Sequence, residues 1–241
     1  MRTLVIGDIH GGYRALLQIL ERANVTEDDK LIFLGDYVDG WSESPKVIAK
    51  LIELRSTNEC IFMQGNHDEL LLDYFQSETK NDMWFMHGGG ASVAAYEKLS
   101  KEELAIHIDF LSNLQHYYID DEKRLFIHAG FTNLHGVDFE YFPKLYYWDR
   151  TLWELALAID PSLEKDDIRY PKRLLHYKEI FIGHTPLTRI GESTPQNRAN
   201  VWNVDTGAAY KNPLTIMDVD TKEYWQSDNV NDLYPEEKGR N

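Results

Sequence analysis

Leu4-Val5-Ile6-Gly7-Asp8-Ile9-His10 is the stretch whose reading decides the fold. A short apolar run stops at Gly-Asp, which reads as a buried strand delivering Asp8 and His10 to its carboxyl end. Positions i and i+2 share one side of an extended backbone, so the carboxylate and the imidazole point the same way. The same grammar returns downstream. Leu31–Leu34 stops at Gly35-Asp36, and Ile61–Met63 at Gly65-Asn66-His67. Arg124–Ile127 runs into His128-Ala129-Gly130, and Glu179–Ile182 into Gly183-His184-Thr185.

Helical patterns fill the gaps. Tyr13–Ala23 carries an apolar stripe of Leu16, Leu17, Ile19 and Leu20, and Asn24 ends it. Pro45–Leu54 presents Val47, Ile48, Leu51 and Ile52 on one face, with Ser44 as its expected N-cap. Strand, polar motif and helix alternate as in an α/β fold, whose chemistry gathers outside the carboxyl ends of the strands. Residues 69–114 read as a largely helical insertion, with a break at Gly88-Gly89-Gly90, a helix at Ala91–Leu99 and another capped by Ser100. Gln115–Asp120 and Arg124–Ile127 form a hairpin. Residues 131–178 are aromatic and irregular, with a helix at Thr151–Ile159. After a polar loop at 191–200, Val201–Val204, Leu214–Val219 and Glu223–Gln226 read as strands closing a second, more antiparallel sheet. The tail from Ser227 is polar and is expected to be loosely held. The expectation is one domain over 1–241.

Bulk properties narrow the function. The 241 residues carry 25 Lys and Arg against 40 Asp and Glu, a net charge of −15. So acidic a chain argues against general binding to nucleic acid or anionic membrane. A phosphorylated substrate stays open, because bound cations supply positive charge locally. Asp8 interrupts the first apolar run too early for a signal peptide, and no run spans a bilayer. The sole cysteine, Cys60, lies in an apolar run and reads as a buried core thiol. These features together lead to an expected cytoplasmic location.

Asp8, His10, Asp36, Asn66, His128 and His184 offer only oxygen and nitrogen donors. They lack the thiolates of a structural zinc site and suit Mn, Fe, Zn, Ni or Co. Six donors exceed the needs of one open catalytic ion and suit two ions about 3.5–4 Å apart sharing a carboxylate.

The order of these motifs resembles the calcineurin-like metallophosphoesterases, and more narrowly the bacterial and phage-type phosphoprotein phosphatases, a group that includes symmetrical diadenosine tetraphosphate hydrolases. The resemblance runs from residue 3 to about 220. It implies a two-sheet mixed β-sandwich flanked by helices and two divalent metal ions, manganese being the expected pair in vitro. It further implies that Asp8 and His10 bind the first ion, that Asp36 bridges both, and that Asn66, His128 and His184 bind the second. By the same resemblance His67 is the general acid, oriented by Asp39, and Arg150 clamps phosphate. Gly88-Gly89 and Asp205-Thr206-Gly207 also resemble stretches common in bacterial members. The implied reaction is phosphomonoester hydrolysis by a metal-bridging hydroxide. Alternatives are hydrolysis of dinucleoside polyphosphates or other nucleotides, and a catalytically silent metal-binding scaffold.

Two departures stand out. The family reads Gly-Asp-x-x-Asp-Arg-Gly, whereas Gly40-Trp41 follow Asp39, so a second phosphate-binding arginine is missing there. On this reading an arginine restored at 40 tightens phosphomonoester binding. Asp68 stands where glutamate is commoner, and Gln64 where many protein phosphatases have arginine. Trp41 is expected to pack rather than stack on a substrate. His87 and His135 flank the motifs, while His107, His116 and His176 read as ordinary side chains.

Overall fold

The structure, a computed structural model, describes residues 1–77 and 81–240. The opening run forms β1 (Thr3–Ile6), followed by α1 (Tyr13–Arg22), β2 (Lys30–Phe33), α2 (Ser44–Thr57) and β3 (Glu59–Phe62). Next come α3 (Asn66–Ser77), α4 (Asp82–Trp84), α5 (Gly90–Tyr96) and α6 (Lys101–Ser112). The expected helical stretch is thus built of short pieces, with its part at 78–80 outside the described residues. Ser100 caps α6 in a reciprocal pair with Glu103. The hairpin is β4 (Tyr117–Ile119) and β5 (Arg124–Ile127), followed by α7 (Leu145–Trp148), α8 (Thr151–Ala158) and β6 (Glu179–Ile182). The chain closes through β7 (Gln196–Arg198), β8 (Val201–Asn203), β9 (Pro213–Asp218), β10 (Tyr224–Asn229) and α9 (Val230–Leu233).

Two five-stranded mixed sheets result, in the orders β10-β9-β1-β2-β3 and β4-β5-β6-β8-β7. In the first, β1, β2 and β3 are parallel and β9 runs antiparallel to β1. In the second, β5, β6 and β8 are parallel. The period of two along each strand sorts the side chains into layers. Leu4 and Ile6 pack with α1 and α2. Val5 faces the other way, into a layer between the sheets with Ile32, Ile61, Phe126, Phe181 and Met217. There the Phe126 and Phe181 rings stack with centroids 4.9 Å apart. Leu125, Ile127 and Ile180 point outward onto Leu152 and Trp153 of α8. The expected helix-flanked, two-sheet α/β architecture is therefore present. No helix among the described residues is long and apolar enough to cross a membrane.

Three expectations are corrected. Of the closing strands, only β8 enters the second sheet; β9 and β10 extend the first, because β9 pairs the free edge of β1. The polar loop contains β7, an edge strand whose polar residues, with Arg198 exposed, discourage further pairing. The tail is tied down despite its polarity. Val230 and Tyr234 are buried, the Tyr234 ring stacks on Trp41 at 5.2 Å, and its hydroxyl donates to Glu43 at 2.6 Å. Glu237 accepts from the Ser42 amide and hydroxyl at 2.9 and 2.6 Å. Two apolar anchors outweigh many polar neighbours, and Tyr234→Ala is expected to cost about 3 kcal/mol. Urea unfolding checks this; a loss under about 1 kcal/mol would mean the tail contributes little to the fold.

Candidate active site

The carboxyl ends of β1, β2, β3, β5, β6 and β8 face one region, and the polar motifs converge there. Asp8, His10 and Asp36 each place one donor atom within 4.8 Å of the others, and so do Asp36, His128 and His184. Asp36 belongs to both groups. His10 Nε2 lies 3.5 Å from Asp36 and 3.9 Å from Asp8, and His128 Nε2 lies 3.5 Å from Asp36. Asn66 Oδ1 is 2.9 Å from His184 Nδ1 and 3.3 Å from His128 Nε2. All six side chains are buried.

Backbone geometry aims these donors. His10 Nδ1 donates to the Val38 carbonyl at 3.1 Å and His128 Nδ1 to the Leu34 carbonyl at 2.8 Å. With the proton on Nδ1, the Nε2 lone pair faces the carboxylates, as a ligating histidine requires. His10, Asp36, Asp39 and His184 have φ of 51°, 53°, 72° and 65°. Left-handed backbone is costly for residues with a Cβ and clusters at functional sites. Two glycines admit the close packing: a Cβ on Gly65 would stand 2.2 Å from Asp36 Oδ1, and one on Gly183 2.0 Å from Asp8 Oδ1.

The electrostatics call for cations. Burial, together with Asp205 and Asp36, pushes the Asp8 carboxyl well above its ordinary range. Burial and Asp36 push Asp68 up to about 7, and burial raises Asp205 to about 6. Burial holds His10 and His184 well below the ordinary histidine value. His184 Nε2 is buried without a hydrogen-bond partner. Crowded carboxylates, the weakly basic His10 and His184 rings and an orphaned ring nitrogen fit divalent metal ions, and the thiolate-free donor set fits a catalytic rather than a structural centre.

Beside this cluster, His67 lies in the first turn of α3. Its amide donates to Asp36 at 2.9 Å, and its Nδ1 donates to Asp39 at 2.6 Å. Asp39 also accepts from the Trp84 indole, and its own amide donates to Ser92 and Ser44. Ser44 therefore serves Asp39 rather than capping α2. A cavity of about 270 Å³ opens here, lined by His67, Asn66, Trp84, His87, Trp148, Arg150 and Arg240 among others. Arg150 Nη1 donates to Thr185 Oγ1 at 3.2 Å.

Trp41 is buried, its indole donating to the Ala208 carbonyl at 2.8 Å, so it packs as expected. His87 lines the cavity, whereas His135 meets the Phe139 ring edge-on outside it. Cys60 is half-buried rather than core, since it sits where β3 reaches the rim of the sheet. Gly40 has φ 96°, and a Cβ there would stand 3.1 Å from Arg240 Cγ. An arginine at 40 would strain the backbone and displace Arg240, so the expected gain in binding is withdrawn. Sequence reasoning overlooked Arg240, in a polar tail, and the staple made by Asp68. The Asp68 carboxylate accepts from the amides of Asp36, Tyr37 and Gly65 at 2.8, 2.9 and 2.9 Å, tying two motif loops together.

Residues 1–212 match the calcineurin-like phosphoesterase family, and the chain belongs to that family. It is a phosphoester hydrolase whose family uses divalent metal ions. It is 28% identical over 233 residues, 88% of each chain, to the asymmetrical bis(5'-nucleosyl)-tetraphosphatase PrpE of Anoxybacillus flavithermus. It is 27% identical to serine/threonine-protein phosphatase 2 of Salmonella typhimurium over 183 residues, 73% of this chain and 82% of the other. The crystal structure of a putative diadenosine tetraphosphatase shares the fold with a TM-score of 0.65 at 19% identity, covering 93% and 92% of the two chains.

Gly183 is absent from the glycines of positive φ, so alanine there tests contact with Asp8 rather than backbone conformation. Gly183→Ala is expected to destabilise the protein by about 1–3 kcal/mol through overpacking. An unchanged urea midpoint would contradict the close approach.

Proposed function

We propose that the chain is a dinuclear phosphomonoesterase in which Asp8 and His10 hold one divalent ion, Asn66, His128 and His184 hold the other, and Asp36 serves both. The observation that carries this is the membership of Asp36 in both donor groups. When bound, such ions polarise phosphoryl oxygens and lower the pKa of water to near neutrality. Manganese suits the oxygen-and-nitrogen donor set.

The chain's own residues supply the rest. Asp39 accepts from His67 Nδ1, so in the imidazolium form the Nε2 proton is the one available to the departing oxygen, and the ring is left neutral with its proton on Nδ1. The Trp84 indole fixes Asp39 in turn. Arg150, held by Thr185, offers the rest of its guanidinium to phosphate oxygens. Trp148 and Leu70 give the leaving group apolar walls. The lining of the cavity suits a phosphoryl group and the first atoms of an apolar leaving group. A phosphoserine, phosphothreonine or phosphotyrosine side chain answers that description. A second reading, hydrolysis of dinucleoside polyphosphates, is favoured by the likeness to PrpE over 88% of both chains.

Two variants test the assignment. Asp36→Asn is expected to lower both bound manganese and kcat. His67→Asn is expected to lower kcat by about 10²–10⁴ while manganese content stays unchanged. An active His67→Asn enzyme would remove the general acid. Comparison of a phosphopeptide, an aryl phosphate and diadenosine tetraphosphate decides the substrate. Turnover of the dinucleotide alone would replace the monoester reading.

A further inference from the structure

Two guanidinium groups line the cavity, and they come from different parts of the chain. Arg150 precedes α8; Arg240 stands at the end of the tail. The chain carries 40 acidic residues; among the described residues Arg2, Arg14, Arg22, Arg124 and Arg169 pair with carboxylates, and Arg55, Arg173, Arg189 and Arg198 do not. Among the described residues, neither Arg150 nor Arg240 forms an ion pair. Two unpaired cations at one cavity of so acidic a protein suit an anionic ligand.

The place of Arg240 is built. Its amide donates to the Ala209 carbonyl at 3.0 Å, and its Nε to the His87 carbonyl at 3.2 Å. Its guanidinium carbon lies 5.7 Å from the centre of the Tyr210 ring, and Nη1 lies 3.5 Å from His10 Nε2. The stem runs past two residues without side chains, since a Cβ on Gly40 or on Gly88 would each stand 3.1 Å from Arg240 Cγ. One edge of the guanidinium is spent on His87, and Nη1 reaches the histidine of the first donor group.

We propose that Arg240 is a phosphate-binding residue that acts with Arg150, so that the C-terminal tail completes the substrate site. This rests on the phosphoesterase reading above. With Nε on the His87 carbonyl and Nη1 against His10, Arg240 keeps Nη2 for phosphate beside the Arg150 guanidinium, and two cationic donors match a terminal phosphoryl group with three free oxygens better than a diester with two, so Arg240 also favours monoester substrates.

The test is inorganic phosphate binding to manganese-loaded protein, read by titration calorimetry and by competitive inhibition of aryl phosphate hydrolysis. Arg240→Ala is expected to weaken phosphate about tenfold and Arg240→Lys about threefold, because lysine keeps the charge and loses the fork. Arg150→Ala should weaken it too. If Arg240→Ala binds phosphate as wild type does while Arg150→Ala binds weakly, the proposal for Arg240 is wrong and the phosphate site stands. If neither variant changes binding, the phosphate site itself is wrong. A lowered melting temperature with unchanged phosphate affinity would make Arg240 a brace for the His87 turn and overturn the proposal.

Discussion

Five carboxylates, Asp8, Asp36, Asp39, Asp68 and Asp205, are buried together at the strand ends, and the surrounding structure answers to their charge. Buried carboxylates are tolerated only when paired or hydrogen-bonded. Asp68 is satisfied by three backbone amides and thereby welds the β2 and β3 loops. Asp39 is answered by His67 and Trp84. Asp8 takes the His184 amide at 3.0 Å, and Asp36 the His67 amide at 2.9 Å. These bonds do not cancel the charge on Asp8 and Asp36: burial holds the nearby His10 and His184 well below the ordinary histidine value, and only His128 is raised, the charge of Asp36 outweighing its burial. The remaining deficit of positive charge is the physical reason for reading a metal centre here, and the left-handed turns are the conformational cost of assembling it.

The strand ends were legible because each apolar run stops abruptly at a polar motif. Both early helices were legible from their stripes, and the α6 cap from Ser100; the reciprocal bond from Glu103 came with the structure. Strand partnership was not. Leu214–Val219 alternates no differently from a strand of the other sheet, and its choice of β1 depends on an unpaired edge some two hundred residues upstream. The donor set was legible as residue types at strand ends. Their sharing of Asp36 is a distance, which no local pattern encodes. Asp68 looked like one more motif residue, and its amide partners lie mostly on another loop. Arg240 could not be found by pattern at all, being a single cation in a polar tail.

The Gly40-Trp41 pair and the tail form one unit. Taken alone, Gly40 reads as a lost phosphate contact. Trp41, next to it, stacks on Tyr234, and a Cβ on Gly239 would stand 2.9 Å from its ring. The indole therefore seats the tail, while Gly40 leaves space for the Arg240 stem. The arginine that position 40 lacks has a counterpart in space, carried by a segment that the same dipeptide anchors. Gly40 and Trp41 make sense together, because the one leaves room for the Arg240 stem and the other seats the tail that carries it. That coupling also weakens the case for an inactive scaffold, since the missing arginine was its support.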